Sequence, residues 1–213
     1  YPWPLPDHWG RWGAIDFGYS HPTAVVVGTK DPVHGRLIIT LVPYATSVRS
    51  SVWGEVLNEI LPSLRSPMAA DHARMEREEL RAKGVDTVPA DKEVVLGLEA
   101  VGRWMKVQGD GFPRILLVVQ EDAPPYHPTI GRYDAEFLAR ELEMYRYPES
   151  KSRLVNDGKD LPLKKDDHAC DALRYLIMQL DKLCGIPSVP TSLKTEKDEM
   201  WDYIALKEPT SWR

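Results

Sequence analysis

The chain has 213 residues, of which 43% are hydrophobic and 28% are charged, and its formal net charge is −5. This composition is ordinary for a soluble globular protein, and the length suffices for one substantial core. The acidic balance argues against a globally basic nucleic-acid-binding protein. No apolar run approaches the length of a membrane span and no signal peptide opens the chain, so we expect no membrane segment.

The two cysteines indicate neither a disulfide nor a zinc site. Cys170 and Cys184 fall within one predicted helix, which places their Cα atoms roughly 20 Å apart. A disulfide requires a Cα separation below about 7 Å. Neither cysteine has the CxxC spacing of a zinc motif, so a reducing, cytosolic setting fits best.

The N-terminal half predicts an antiparallel meander after a short extended segment. The prolines of YPWPLPDHW forbid a helix, so we expect residues 1–10 to be a linker remnant. Three strands are predicted next, GRWGAIDFG, AVVVG and RLIITLV, and the turns that join them are short. A helix is predicted at Val52–Leu61, and the short apolar run PMAAD ends in an aspartate at position 71.

Helix and strand patterns alternate from residue 73 onward. ARMEREELRAK predicts a helix that Gly84 closes, VDTV predicts a short strand, and residues 92–107 carry amphipathic helical spacing. RILLVVQ, at 114–120, predicts a strand buried on both faces because its apolar run is continuous. A further helix is predicted at 133–145.

The last part of the chain contains one strong helix between two polar segments. RLVNDGKDLPL carries an Asp-Gly turn signal and predicts a surface hairpin over 152–163. The helix at 168–183 is apolar nearly all round, so we expect it to be covered on more than one side. Residues 185–213 lose periodicity and predict a loosely ordered tail. The whole pattern predicts one α/β domain over 11–184, with a mixed sheet flanked by helices.

Two aspartates follow apolar strands, and each has an ordinary structural explanation when taken alone. Asp16 ends the first strand before a turn that contains glycine, where Asp is common. Asp71 ends MAA just before a helix, where Asp is a favoured N-cap. Neither position by itself indicates a functional site.

The stretch KKDDHACDALRY, at 164–175, contains more acid than helix capping requires. Asp166 or Asp167 can cap the final helix, which accounts for one carboxylate. Asp167 and Asp171 stand four residues apart, and like charges at that spacing destabilise a helix by a few tenths of a kcal/mol. Asp171 also lies away from the main apolar stripe, as a residue on a solvated face would.

The conjunction of these acids predicts a metal site. Carboxylates at the ends of two strands and at the start of a late helix can converge at one edge of a sheet. Such oxygens bind Mg²⁺ or Mn²⁺, and two ions about 4 Å apart can activate water and stabilise the leaving oxygen of a phosphodiester. His168 could orient a carboxylate or a water molecule from the second coordination shell.

The sequence resembles the nuclease domain of the large terminase subunit of tailed bacteriophages, in the RNase H-like (retroviral integrase and Holliday-junction resolvase) superfamily. The matching segments cover roughly residues 11–182: AIDFGYSHPTAVVV, PMAAD, ADKEVVLGLEAVGRWM and KKDDHACDALRY. The last is similar to the family pattern K-x-x-D-H-x-x-D-A-x-R-Y. The resemblance implies an RNase H-like fold, with three antiparallel strands followed by parallel ones, and a metal-dependent endonuclease that cuts concatemeric viral DNA.

The resemblance also assigns roles to residues of this chain. Asp16 matches the first-strand metal ligand and Asp71 the second acid. Asp167 and Asp171, with His168 between them, match the acidic group of the late helix, and Asp166 is a further candidate ligand. The implied cofactor is Mg²⁺ or Mn²⁺, two ions being expected with DNA bound.

Double-stranded DNA is the implied substrate, and several basic side chains are candidates for contacting it. Lys92 sits where the family often has a lysine, and the other candidates are Lys151, Arg153, Lys164, Lys165, Arg74 and Arg77. Each is an ordinary surface charge unless it clusters beside the acids. The family also implies a packaging ATPase, a small terminase subunit and a portal as partners, in the host cytoplasm during viral assembly. The chain has no GxxxxGK[ST] motif, so we expect the ATPase motor to be absent from it.

Three other interpretations share some of these features. Asp-Phe-Gly before a second strand also resembles the phosphate loop of actin-like and sugar-kinase ATPases, which need a second such half. A resolvase or integrase-like nuclease would use the same metal site on a different DNA. A non-catalytic docking domain would use its acids merely as helix caps, and metal titration would distinguish it from a nuclease.

Overall fold

A computed structural model describes residues 4–61, 64–145 and 167–184. The strands are β1 (Gly10–Asp16), β2 (Thr23–Lys30), β3 (Leu37–Leu41), β4 (Tyr44–Ala45), β5 (Met68–Ala70), β6 (Thr87–Pro89), β7 (Ile115–Leu117), β8 (Tyr126–His127) and β9 (Gly131–Arg132). The helices are α1 (Ser50–Ile60), α2 (Arg74–Ala82), α3 (Val94–Met105), α4 (Glu136–Met144) and α5 (His168–Leu183).

The sheet is mixed, with the strand order β6-β5-β1-β2-β3-β7, and β4 pairs with β2. β1, β2 and β3 form an antiparallel meander, whereas β5 pairs parallel to β1, β6 parallel to β5 and β7 parallel to β3. β8 and β9 form a separate two-stranded sheet. The α/β prediction, with three antiparallel strands and then parallel ones, is confirmed.

Alternating side chains of the central strands pack into two separate cores, one on each face of the sheet. Ala14 and Val26 belong to the core on one face of the sheet, and Ile15 and Val25 belong to the core on the other. Successive side chains of a strand point to opposite faces, so a central strand with helices on both sides must be apolar at every position. This explains why β2, TAVVVGTK, is buried along almost its whole length.

Helices cover both faces. Trp53 and Leu57 of α1 and Leu80 of α2 pack in one core, while Trp104 of α3 and Leu173 of α5 pack in the other. Full burial of one such side chain contributes roughly 1.5–3 kcal/mol. The two cores fix the sheet between two helical layers.

Helix α5 is the most deeply buried helix of the described chain. Eleven of its sixteen residues are buried, and it contacts α3, α4, β1, β2 and β5. The prediction that it is covered on more than one side is confirmed. Its first turn consequently has a fixed place against the carboxyl end of β1.

One prediction about burial is wrong. The segment 114–120 is not a strand buried on both faces, because β7 is short and forms the edge of the described sheet beyond β3. Ile115 is buried, whereas Leu116 and Leu117 are only half-buried and Val119 is 41% exposed. A continuous apolar run is compatible with an edge strand as well as with a central one.

Other differences concern short elements and segments outside the described ranges. β4, β8 and β9 were not predicted, since two residues are too few to show an alternating pattern. The predicted hairpin at 152–163 and the tail at 185–213 lie outside the described residues. Cys170 and Cys184 are free thiols, as expected. Across the described ranges, no helix combines the length and hydrophobicity needed to span a membrane.

Candidate active site

Two of the predicted acids meet at the carboxyl ends of adjacent parallel strands. The β1–β5 register places Ile15 beside Ala70, and the backbone N–H of Asp71 donates to the carbonyl of Ile15 over 3.2 Å. Asp16 ends β1 and Asp71 follows β5, so both leave the sheet at the same edge. Ligands of open α/β sheets commonly bind at this edge, because the carboxyl ends of parallel strands meet there.

The first turn of α5 reaches the same edge. His168 Nδ1 lies 3.1 Å from Asp16 Oδ2, and the ring of His21 stacks on the ring of His168 with their centroids 5.9 Å apart. The charges of both Asp171 and Asp71 act on the carboxyl group of Asp16. The structure therefore places Asp16, Asp71 and His168 at one edge of the sheet, with Asp171 on the same first turn of α5 as His168.

The carboxylates around Asp16 carry more negative charge than their neighbours neutralise. Burial raises the pKa of Asp16, the hydrogen bond from His168 opposes that rise, and the charges of Asp171 and Asp71 reinforce it. The hydrogen bond to Asp16 in turn raises the pKa of His168, which favours the imidazolium form. A positive partner beside Asp16 relieves the repulsion among the carboxylates.

Asp71 pairs with a lysine instead of capping the next helix. The N-cap residue of α2 is Ala73, and no side chain caps that helix. Asp71 Oδ1 accepts a hydrogen bond from Lys92 Nζ over 2.5 Å and another from the backbone N–H of His72. Lys92, predicted as a candidate DNA contact, therefore neutralises Asp71 in this structure.

Asp171 pairs with a buried arginine. Arg174 Nη2 lies 2.9 Å and Arg174 Nε 3.3 Å from Asp171 Oδ1. The Arg174 side chain is only 4% exposed, and its guanidinium lies over the ring of Tyr175, 4.8 Å from the centroid. Asp171 has a fixed orientation as a result, because its partner cannot move freely.

Asp167 is the N-cap residue of α5, yet its side chain makes no capping hydrogen bond. The capping role expected of Asp166 or Asp167 is filled from another helix. Glu141 Oε2 of α4 accepts hydrogen bonds from the backbone N–H groups of Ala169 over 2.7 Å and Cys170 over 3.0 Å. Two of the N–H groups that every helix start leaves unpaired are thereby satisfied.

Burial raises the pKa of Glu141 to about 7, although the N–H groups of Cys170 and Ala169 and the Tyr44 hydroxyl oppose the rise. The unfolded chain releases this proton near pH 4.5, the reference pKa, whereas the folded protein keeps it to a higher pH. The stabilisation is complete below pH 4.5 and declines as the pH rises to about 7.

Glu141→Gln is expected to flatten that decline, because the amide carries no charge at any pH. Between pH 5 and pH 8 the parent should lose about 2–3 kcal/mol more unfolding free energy than the variant. Urea unfolding at both pH values measures the difference, with Glu143→Gln, an exposed position on the same helix, as the control. Equal losses in parent and Glu141→Gln would contradict the prediction.

Several candidate residues lie elsewhere. Asp166, Lys164, Lys165, Arg153 and Lys151 are outside the described residues. Arg77 donates to the side-chain and backbone oxygens of Thr87, so it anchors α2 to β6. The described structure thus gives no basic cluster from these candidates beside the acids.

The donor set matches a hard divalent cation by chemical type. Within residues 4–61, 64–145 and 167–184, no three His, Cys, Asp or Glu side chains are arranged to hold a metal ion. Asp16, Asp71 and Asp171 nevertheless supply the oxygen ligands that Mg²⁺ and Mn²⁺ prefer. Lys92 contacts Asp71 at Oδ1 and Arg174 contacts Asp171 at Oδ1, so the Oδ2 atoms would be the ligands of an ion.

Sequence reasoning missed the residues that support these acids. Glu141 and Arg174 are both charged residues on buried helix faces: α4 buries Leu138 and Glu141, and α5 buries Arg174 among apolar neighbours. A charged residue in an apolar stripe is the signal that could have found them, because such residues are rarely buried without a partner. Nothing local distinguished His21.

Comparison with solved structures identifies the fold. The large terminase of a thermophilic bacteriophage superposes with a TM-score of 0.62 at 19% identity, over 83% of this chain and 41% of that one. The P22 large terminase nuclease domain superposes with a TM-score of 0.58 at 17% identity, over 84% of this chain and 86% of that one. The large terminase nuclease domain of bacteriophage SPP1 with bound Mn gives 0.54 at 19% identity, over 80% and 86%.

The chain thus has the RNase H-like fold of terminase nuclease domains, as the sequence resemblance predicted. It spans about two fifths of the length of the thermophilic phage terminase and most of each isolated nuclease domain. The sequence matches no protein-family model, and no curated protein matches it significantly.

Proposed function

We propose that this chain is the metal-dependent DNA endonuclease domain of a phage packaging terminase, which cuts concatemeric viral DNA. The observation that carries the proposal is that Asp16 and Asp71 leave two adjacent parallel strands at the same edge, where His168 contacts Asp16 and Asp171 lies on the same first turn of α5. Helix caps alone do not explain it, because Asp71 caps no helix and Asp167 makes no capping bond.

In this proposal Asp16, Asp71 and Asp171 hold one or two Mg²⁺ or Mn²⁺ ions, and Asp167 and Asp166 are further candidates. Two such ions, when bound with DNA, supply an activated water molecule and stabilise the leaving oxygen of the phosphodiester.

The residues around the acids prepare the site. His168 donates to Asp16 and orients one carboxylate oxygen, leaving the other for a ligand. Arg174 fixes the rotamer of Asp171. Lys92 neutralises Asp71, and it would be available to a DNA phosphate if Asp71 held an ion instead. A bound ion would also offset the repulsion among the acids.

The proposed domain comprises residues 11–184, with a linker at 1–10 and a tail at 185–213. Lys164, Lys165 and Arg153, with Lys92, are the proposed DNA contacts, and phosphate contacts of this kind give weak, salt-dependent affinity with little sequence readout. The ATPase motor, the small terminase subunit and the portal are the proposed partners, in the host cytoplasm during assembly.

Incubation with supercoiled plasmid tests the proposal. We expect relaxed and then linear DNA to appear with Mn²⁺ or Mg²⁺ and not with EDTA, because the acids cannot activate water unaided. Raising the salt from 50 to 200 mM should slow the reaction at subsaturating DNA. Gel electrophoresis of timed samples measures both effects.

Two outcomes would contradict the proposal. If the plasmid stays supercoiled with both metals, the result favours the docking interpretation, in which the acids have only a structural role. A synthetic four-way junction cut far faster than duplex DNA of the same length would favour the resolvase interpretation. Asp122→Asn, at an exposed position, is the control and should cut like the parent.

A further inference from the structure

We infer that Glu141 is a positioning residue for the proposed nuclease site, acting by fixing the start of α5 from α4. This inference rests on the proposed function and goes beyond it, because among the described residues Glu141 contacts backbone N–H groups and not the candidate ligands. Its carboxylate instead accepts the N–H groups of Ala169 and Cys170, which lie between His168 and Asp171 in the chain.

The geometry ties the two helices at one point. Helix α5 has no side-chain cap of its own, and both bonds to Glu141 are buried. Glu141 itself is only 4% exposed. Buried hydrogen bonds from two backbone N–H groups to one oxygen fix both the axial position and the rotation of the first helical turn.

The position of that turn decides where the acids point. His168 Nδ1 lies 3.1 Å from Asp16 Oδ2, and Asp171 lies on the same turn. Loss of the acceptor would leave two buried N–H groups unpaired, at a position where the helix can relieve them only by shifting or fraying.

The position of Glu141 on α4 is not explained by solubility. The helix presents Leu138 and Glu141 to the interior, while Glu143 is exposed. Burying a carboxyl group costs free energy unless it is hydrogen-bonded. A methionine of similar length would fill the same space without that cost, so the retained carboxyl group indicates a role for its oxygen atoms.

Two substitutions of Glu141 distinguish the role of its acceptor oxygen from the role of its side-chain volume. Glu141→Gln keeps an acceptor oxygen for both N–H groups, whereas Glu141→Met keeps the length and removes the acceptor. Loss of a group that orients metal ligands typically reduces activity about 10- to 100-fold. We expect Glu141→Met to reduce the cleavage rate at saturating plasmid by that amount, with an unchanged half-saturating DNA concentration, and Glu141→Gln to cut like the parent.

A second measurement does not depend on cleavage. Amide hydrogen exchange at Ala169 and Cys170, followed by NMR, should accelerate at least about tenfold in Glu141→Met and stay unchanged in Glu141→Gln. Glu143→Met is the matched control and should behave like the parent in both assays.

The outcomes distinguish the two proposals. A parent protein that never cuts DNA refutes the proposed function, while the exchange data still test Glu141. A folded Glu141→Met variant with parental cleavage and exchange overturns the inference, and so does Glu141→Gln that fails as badly as Glu141→Met. If Glu141→Met does not fold, parental cleavage and exchange in Glu141→Gln support the inference, and their loss overturns it.

Discussion

Asp16→Asn is expected to abolish DNA cleavage while making the folded domain more stable. Asp16 is the most buried of the candidate ligands that the structure describes, at 7% exposed, and the amide cannot supply the charge that a divalent ion requires. The cleavage rate should fall by roughly a thousandfold or more, which corresponds to about 4 kcal/mol of activation free energy. Timed plasmid nicking in Mn²⁺ measures this loss.

The gain in stability has a separate cause. Burial and the charges of Asp171 and Asp71 raise the pKa of Asp16, so its ionised form is unfavourable in the folded protein at pH 8. Asparagine removes that cost and can still accept a hydrogen bond from His168. In metal-free buffer the melting temperature should rise by a few degrees at pH 8, and the gain should shrink as the pH falls, because protonation of the carboxyl group removes the unfavourable charge.

Asp122→Asn, on an exposed loop, is the control for both measurements. Parental cleavage by Asp16→Asn would remove Asp16 from the proposed site. A melting temperature that falls at pH 8 would show instead that Asp16 serves structure, as a turn residue does.

Gly97→Ala is expected to destabilise the fold and to weaken cleavage from a position outside the acid cluster. A Cβ at Gly97 of α3 would lie 2.5 Å from Arg174 Cγ and 2.6 Å from Cδ. These atoms are the buried stem of the side chain that pairs with Asp171, so the clash cannot be relieved by a free end. Arg174 must move, and Asp171 loses its orientation.

The expected cost is about 2–3 kcal/mol of unfolding free energy, from overpacking and a loosened buried ion pair. The better helix propensity of alanine offsets about 1 kcal/mol and is included in that figure. Urea unfolding measures the loss, and calorimetric titration with Mn²⁺ should show weaker binding. Gly109→Ala is the matched control, because no atom lies within 4 Å of its added Cβ. Equal stability of the two variants would contradict the proposed contact.

The sequence was sufficient to predict the elements whose patterns extend over several residues. β2 and β3 are rich in β-branched residues, and the turns that join β1, β2 and β3 are short enough to impose antiparallel pairing. The apolar surface of α5 extended around most of its circumference, which predicted its burial. Asp16 and Asp71 could be placed together because parallel strands deliver their ends to one edge.

The contacts that support the site could not be predicted in the same way. Glu141 reaches Ala169 across 28 residues and Lys92 reaches Asp71 across 21. Such pairings depend on how separate strands and helices pack together, and no local sequence pattern encodes that packing. The edge position of β7 could not be predicted for a related reason. Apolar residues such as Ile115 and Leu116 occur in edge strands and in central strands alike.

The separation between Asp16 and His168 has a consequence for how the site assembles. The two residues lie 152 positions apart, so their contact closes nearly the longest loop that this domain can contain. Closing a long loop costs conformational entropy before the contact compensates for it, and contacts of high sequence separation slow folding. The meander can form from neighbouring segments, whereas the acid cluster exists only after α5 has docked. A chain still emerging from the ribosome, with α5 unsynthesised, therefore lacks His168 and Asp171 and cannot yet form the proposed site.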